Sequence, residues 1–340
     1  MFVQSGETIT LPESPNVPGL LFRRFRGESD YPGITATDNA SREVDGAEWV
    51  LTVDDITREY THLVNSDPLR DMIIAEINGE MVGFSRGEWL LETSGLYRYW
   101  FPLYLIPAWR DRGIRRAMLR WMEARLRQVA AEHPAGARKA FSTWAPAKAE
   151  SLAALLEDEG YQPVRYFNKM TRPLDGNLPD FPMPSGLEMR PVEPEQYRLI
   201  WEASEEAFRD HWGFSPSEEA YYQEWLEDPV IFQPELWQIA WDTERNEIAG
   251  QVRTFIDELE NEKHNRRRGY TEFISVRRPY RRRGLARALI AESLRTLKAR
   301  GMTEAALTVD TESLTGATRI YEDCGFTVES RSTSYHKPLE

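Results

Sequence analysis

The chain has 340 residues, 41% of them hydrophobic and 29% charged, with a formal net charge of −13, enough length to bury more than one core. A sequence pI near 5.1 argues against nucleic acid as the main partner, and no apolar run reaches the roughly 18 residues that a membrane span needs. A single cysteine, Cys324, and five histidines without ligand spacing leave no intrachain disulfide and no metal site to expect, and make a reducing, cytoplasmic setting the default.

Residues 1–17 carry neither a basic start nor an apolar core and read as a loose leader rather than a signal peptide. Residues 20–25 form a candidate first strand, 53–65 a helix, and 72–89 a hairpin turning at Asn78-Gly79, the strongest short hairpin signal. A long strand is expected at 97–105. The segment 172–186, with four prolines and two glycines, reads as a linker. Beyond it the order repeats: a strand at 187–191, helices at 194–208 and 217–226, a hairpin over 236–241 and 247–257, and a central strand at 270–276. The division expected is a leader (1–17), a first domain (18–172), a linker (173–186) and a second domain (187–340).

The most informative stretch is FISVRRPYRRRGLARAL, from Phe273 to Leu289. A strand runs into a basic, glycine-bearing turn and then into an amphipathic helix. The first N–H groups of a helix have no internal partner and carry partial positive charge, so an anion placed there takes several backbone bonds at once. Gly284 and Ala286 lack bulk, which lets phosphate oxygens approach the backbone, and Arg281, Arg282 and Arg283 add attraction. There is no G-x-x-x-x-G-K-[ST] and no G-x-G-x-x-G after an early strand, so neither a P-loop nor a dinucleotide fold is indicated. Downstream, LTVDTESLTGATRIYEDCGF reads as a strand, a polar turn and a helix closed by Gly325. The chain also repeats itself. FPLYLIPAWRDRGIRRAML aligns with EFISVRRPYRRRGLARALI at an offset of 171 residues, and LAALLEDEGY aligns with ATRIYEDCGF at an offset of 165.

The two segments together resemble the GNAT N-acetyltransferase superfamily. Its acyl-coenzyme A loop, Gln/Arg-x-x-Gly-x-Gly/Ala, matches Arg281, Gly284 and Ala286. Its later strand–Asn/Ser-x-x-x-Ala–helix–Tyr-x-x-x-Gly-Phe pattern matches Ser313, Ala317, Tyr321, Gly325 and Phe326. The resemblance covers the C-terminal half, and the repeat extends it to two tandem GNAT-like domains, a layout similar to mycothiol synthase-like proteins. The fold class it implies is α/β (α+β), each domain a mixed, mostly antiparallel sheet flanked by helices. The function it implies is acetyl transfer from acetyl-CoA to a primary amine of a small molecule or peptide, with no metal. The alternatives are a non-catalytic acyl-CoA-binding module, which an intact Glu272 and Tyr321 oppose, and an interaction protein using the arginine patch.

Acetyl transfer from a thioester to an amine needs a base for the ammonium, a donor for the thioester oxygen and an acid for the thiolate. Strand alternation places Glu272, Ile274 and Val276 on one face, so Glu272 is the candidate base. The resemblance makes Tyr321 the acid and gives Val276 backbone bonds to the coenzyme. The cofactor-binding set is Ile274, Ser275, Val276, Arg281, Arg282, Arg283, Gly284, Leu285, Ala286, Arg287 and Ser313, with the pyrophosphate over 282–287. In the first copy Phe101 stands in place of Glu272, Arg115 of Ala286, Leu156 of Tyr321 and Lys148 of Ser313. That copy reads as degenerate, kept for architecture or for shaping an acceptor pocket. The resemblance puts the acceptor against 207–217 and 329–336, where Asp210, His211 and Trp212 suit an amine.

Overall fold

A computed structural model describes residues 5–313 and 316–339. The chain divides into two compact units, Met1–Arg165 with Ser332–Glu340, and Tyr166–Arg331. In the first, β1 (Thr8–Ile9), β2 (Leu20–Arg23), α1 (Tyr31–Asp45), α2 (Val53–Thr61), α3 (Pro68–Asp71), β3 (Met72–Ile77) and β4 (Glu80–Arg86) come first. Then follow β5 (Glu88–Leu91), β6 (Leu96–Trp100), β7 (Tyr104–Leu105), α4 (Ile114–Ala130), β8 (Arg138–Ala145) and α5 (Glu150–Asp158). Asn78 and Gly79 both take positive φ, 51° and 89°, as a tight hairpin between β3 and β4 demands. Helix α1 was not legible in the sequence, because Pro32 and Gly33 resemble a breaker. Here the proline sits in the first turn, where its missing N–H costs nothing.

Residues 5–17 are not a loose leader. Thr8 and Ile9 pair antiparallel with β2, and Ile9, Leu11 and Val17 pack on the first core.

The second unit takes up β9 (Gln162–Pro173) from Tyr166 onward, then β10 (Leu187–Met189), α6 (Tyr197–Phe208), α7 (Glu219–Glu227), β11 (Gln238–Asp242) and β12 (Glu247–Phe255). After these come α8 (Glu258–His264), β13 (Arg268–Val276), α9 (Leu285–Ala299), β14 (Glu304–Asp310), α10 (Ala317–Asp323) and β15 (Thr327–Pro338). Strands β10 to β13 form an antiparallel run, β13 pairs parallel with β14, and β14 pairs antiparallel with the 167–173 part of β9. Helix α9 buries Leu285, Leu289, Leu294 and Leu297 against this sheet. Reciprocally, β15 from Ser332 belongs to the first unit and pairs antiparallel with β8. The last strand of each repeat is therefore exchanged, and the linear division 18–172 and 187–340 differs from the compact units at both strands.

Candidate active site

Two features of β13 create the site. Its parallel ladder with β14 is short, running only from Arg268–Tyr270 against Glu304–Ala306. Past Tyr270 the strands part, and the Glu272 carboxylate accepts the Thr308 N–H at 2.7 Å across the gap. The second feature is a bulge: Gln251 opposes Ser275 while Arg253 opposes Glu272, so two residues of β13, Phe273 and Ile274, oppose one of β12, Val252. Phe273 accommodates it with φ 50°, a conformation rare for a bulky residue. The bulge overturns simple alternation. Glu272 shares its face with Ser275, not with Val276, which pairs with Gly250 on the α9 side, where Leu285 packs.

A cavity of 560 Å³ lies where β13, the following turn, α9 and α10 meet. It is lined by Ile274, Ser275 and Val276, by Arg281, Arg282, Gly284, Leu285, Ala286 and Arg287, and by Tyr321. Gly284 is the residue before α9, at φ 90°, and Arg282 takes φ 62°. A Cβ at Gly284 would meet nothing within 4 Å. The glycine thus leaves open space in front of the helix N-terminus, the concavity that backbone N–H groups need to cradle an anion.

The arginines of the turn divide by task. Arg281 is committed to the framework: Nε donates to Val276 O (3.0 Å), Nη2 to Ala207 O (3.0 Å) and Nη1 to Asp210 Oδ2 (2.6 Å). Arg283 donates to Ser185 O at 2.8 Å, and Arg287 bonds Asp323. Asp210 also binds Arg278, and these two guanidiniums hold its carboxyl well below the usual range. It is therefore not available to grip an amine in the way the sequence suggested. His211 lines the cavity, and burial pushes its imidazole pKa down. Ser313 lies in the turn after β14, its N–H bonded to Asp310 O at 3.2 Å, and is not among the residues lining the cavity. Within the expected acceptor segment 329–336, Glu329 pairs with Arg268 and Lys169, and residues from Ser332 belong to the first unit.

The electrostatics distinguish two groups. Burial pushes the Glu272 carboxyl up to about 7, only partly offset by its bonds to Thr308 and Phe273. Tyr321 is 7% exposed. Burial first, and then the nearby Glu272, push its phenol well above the ordinary tyrosine range, so it is a neutral O–H donor at physiological pH. Among the described residues no cluster of His, Cys, Asp and Glu could hold a metal ion, and no helix is long and apolar enough to cross a membrane.

A sheet that splays beside a basic, glycine-bearing strand-to-helix turn defines an acyltransferase class of fold. The acetyltransferase (GNAT) family profile matches residues 39–140 and 197–326, and the chain belongs to that family. It is an N-acetyltransferase in the tandem arrangement. A mycothiol acetyltransferase of Thermomonospora curvata is 31% identical over 234 residues, covering 68% of this chain and 71% of the relative. One from Salinispora tropica is 29% identical over 308 residues, 89% and 91% of the two chains. A GCN5-related N-acetyltransferase from Sphaerobacter thermophilus superposes with a TM-score of 0.69 at 28% identity, over 97% of each chain. A tandem GNAT protein from the clavulanic acid biosynthesis pathway shares the fold at TM-score 0.63 and 14% identity.

Proposed function

We propose that the chain transfers acetyl from acetyl-CoA to a primary amine of a small molecule or peptide, and that the chemistry runs in the second unit. The observation that carries this is the pairing of Glu272, at the strand gap with a carboxyl pushed up to about 7, with Tyr321, a buried phenol on the wall of the adjoining cavity. The coenzyme's pyrophosphate fits the N–H groups that follow Gly284, and its pantetheine fits the wall made by 274–276. Arg282 lines the cavity and supplies positive charge at its mouth. The family's use of acetyl-CoA and the relatives' name, mycothiol acetyltransferase, support a small-molecule acceptor.

In this reading Glu272 takes a proton from the acceptor ammonium, directly or through water. A base with a pKa near 7 is half-deprotonated at neutral pH and still draws a proton effectively. The freed amine attacks the carbonyl carbon and forms a C–N bond; as the C–S bond breaks, the nitrogen releases its second proton to solvent and Tyr321 O–H passes its proton to the sulfur. Tyr321 is then reprotonated from solvent as free thiol departs. The test is thiol release from acetyl-CoA against a panel of amines, with Glu272→Gln and Tyr321→Phe alongside. Acetyl-CoA binding without release for any amine would leave the acyl-CoA-binding module as the function.

A further inference from the structure

A second cavity, of 620 Å³, adjoins the first through His211. Its walls are aromatic, with Trp201, Phe208, Tyr221, Trp225 and Phe273, and Arg253 projects into it from β12. Arg253 is 4% exposed, and its Nε and Nη1 have no hydrogen-bond partner among the described residues. Its guanidinium carbon lies 4.1 Å from the Phe273 ring centroid, 5.1 Å from Trp225 and 6.0 Å from Trp201. Desolvation pushes its pKa down to about 9, with Glu205 opposing that only in part. The Glu205 carboxylate is itself occupied by Ser217, whose N–H and Oγ donate to it at 3.1 and 3.0 Å.

Burying a guanidinium without a bonded counter-ion is costly, and cation–π contacts offset that cost only in part. Among the described residues the other buried arginines of this chain are paired, with Arg115 of the first unit the exception. Arg23 binds Asp30 and Glu76, and Arg268 binds Glu304 and Glu329. Arg253 departs from that practice, in a cavity, and it is the direct cross-strand neighbour of Glu272.

We propose that the acceptor amine carries a carboxylate a short linker away, and that Arg253 is the group that receives it. This rests on the reading that Glu272 and Tyr321 perform acetyl transfer in the second unit. Arg253 and Glu272 stand on one face of the sheet with their Cα atoms one cross-strand spacing, about 5 Å, apart, so a short molecule such as an amino acid or short peptide can meet both. A planar guanidinium held between rings presents its edge and suits a planar carboxylate, bound bidentately. Glu205, Glu224 and Asp228 line the same cavity, and their charge disfavours a dianionic phosphate more strongly than a monoanionic carboxylate. The aromatic walls suit an apolar side chain.

The test is acetyl-CoA thiol release with free amino acids and their matching carboxamides, and with phosphoethanolamine as a third arm. The wild type should prefer carboxylates over carboxamides by roughly 10-fold to 10²-fold in kcat/KM, the range of a hydrogen bond to a charged group. Arg253→Met should erase that preference by raising the acceptor KM, leave the acetyl-CoA KM unchanged and leave the melting temperature equal or higher. Arg253→Lys should restore part of the preference. Equal wild-type rates on acid and amide, a preference surviving in Arg253→Met, or faster turnover of phosphoethanolamine would each overturn the carboxylate assignment alone. If no amine of any kind releases thiol although acetyl-CoA binds, the acetyl-transfer reading fails and this assignment with it.

Discussion

The two copies of one strand part company at a single residue. In the second unit β13 runs unbroken from Arg268 to Val276 by letting Phe273 take φ 50°. In the first, the aligned position is Pro102, whose ring fixes φ near −65° and cannot supply that bulge, and the strand breaks into β6 and β7. The parallel ladder differs as well. The first copy extends it through Trp100–Ser142, and the Phe101 N–H bonds Ser142 O at 3.1 Å. The second opens one pair earlier and places the Glu272 carboxylate in the gap. Phe101 and Leu156, which stand for Glu272 and Tyr321, are both fully buried in the first core. That copy has core packing where the other carries a carboxylate and a phenol.

What both copies retain is equally instructive. Arg110 donates to Leu105 O, Ser41 O and Asp45, the same clamp that Arg281 makes with Val276 O, Ala207 O and Asp210. A motif arginine that survives in the copy lacking proton-transfer groups is there to hold the turn. Gly113 and Gly284 likewise share φ values of 82° and 90°.

The largest expected effect comes from blocking these turns in parallel. Both glycines have positive φ, so any side chain adds strain of about 1–2 kcal/mol in either copy, and Gly113→Glu carries the larger fold cost, because a Cβ there meets Pro15 Cβ at 3.2 Å while nothing lies within 4 Å at Gly284. Gly284→Glu should remove acetyl-CoA binding, by calorimetry, and cut turnover by about 10³-fold or more. Gly113→Glu should leave most activity. The reverse result, with both proteins folded, would assign turnover to the first unit.

Tyr321→Phe should lower kcat on the order of 10²-fold with coenzyme affinity nearly intact, since the phenol acts on the leaving group. Unchanged kcat, with chemistry limiting, would reduce Tyr321 to a packing residue like Leu156.

Sequence patterns carried the turn, the hairpin and the repeat, because each depends on local spacing. They missed the exchange of β9 and β15, since the closing strands KMTRPL and SYHKPL look alike and nothing local says which sheet each joins. They missed the bulge, since no propensity favours φ > 0 at Phe273. They also assigned Arg281 and Asp210 to ligands when the two bind each other across 71 residues.

Glu272→Gln sharpens the comparison through pH. In the wild type kcat/KM should rise through about pH 7, the value to which burial pushes the free carboxyl, and the variant should lose both that limb and about 10–10² in rate. Stability carries the opposite sign. The folded carboxyl holds its proton to a higher pH than the unfolded one, so its stabilising contribution is complete below about 4.5 and declines as pH rises through about 7. Removing the charge should therefore leave the variant at least as stable as wild type at pH 8, by thermal melting. A variant melting well below wild type there would mean that Glu272 is a framework group.

The smallest effect tests what the arginine of the first copy's loop would do to the second. Arg115 aligns with Ala286. It is buried along a 440 Å³ cavity, its Nε and Nη2 lack partners among the described residues, and burial pushes its pKa down to about 10. A side chain of that size at position 286 would narrow the approach to the N–H groups following Gly284, yet its charge would attract phosphate. The two effects oppose each other: bulk removes backbone bonds worth about 1 kcal/mol each, and a charged bond returns about 1.5–3 kcal/mol. Ala286→Arg should thus raise the acetyl-CoA KM by no more than about 10-fold, with kcat within threefold, because Glu272 and Tyr321 are untouched. A kcat collapse as deep as that of Gly284→Glu would show that the arginine alone silences a copy, and that the losses at Phe101 and Leu156 came after it.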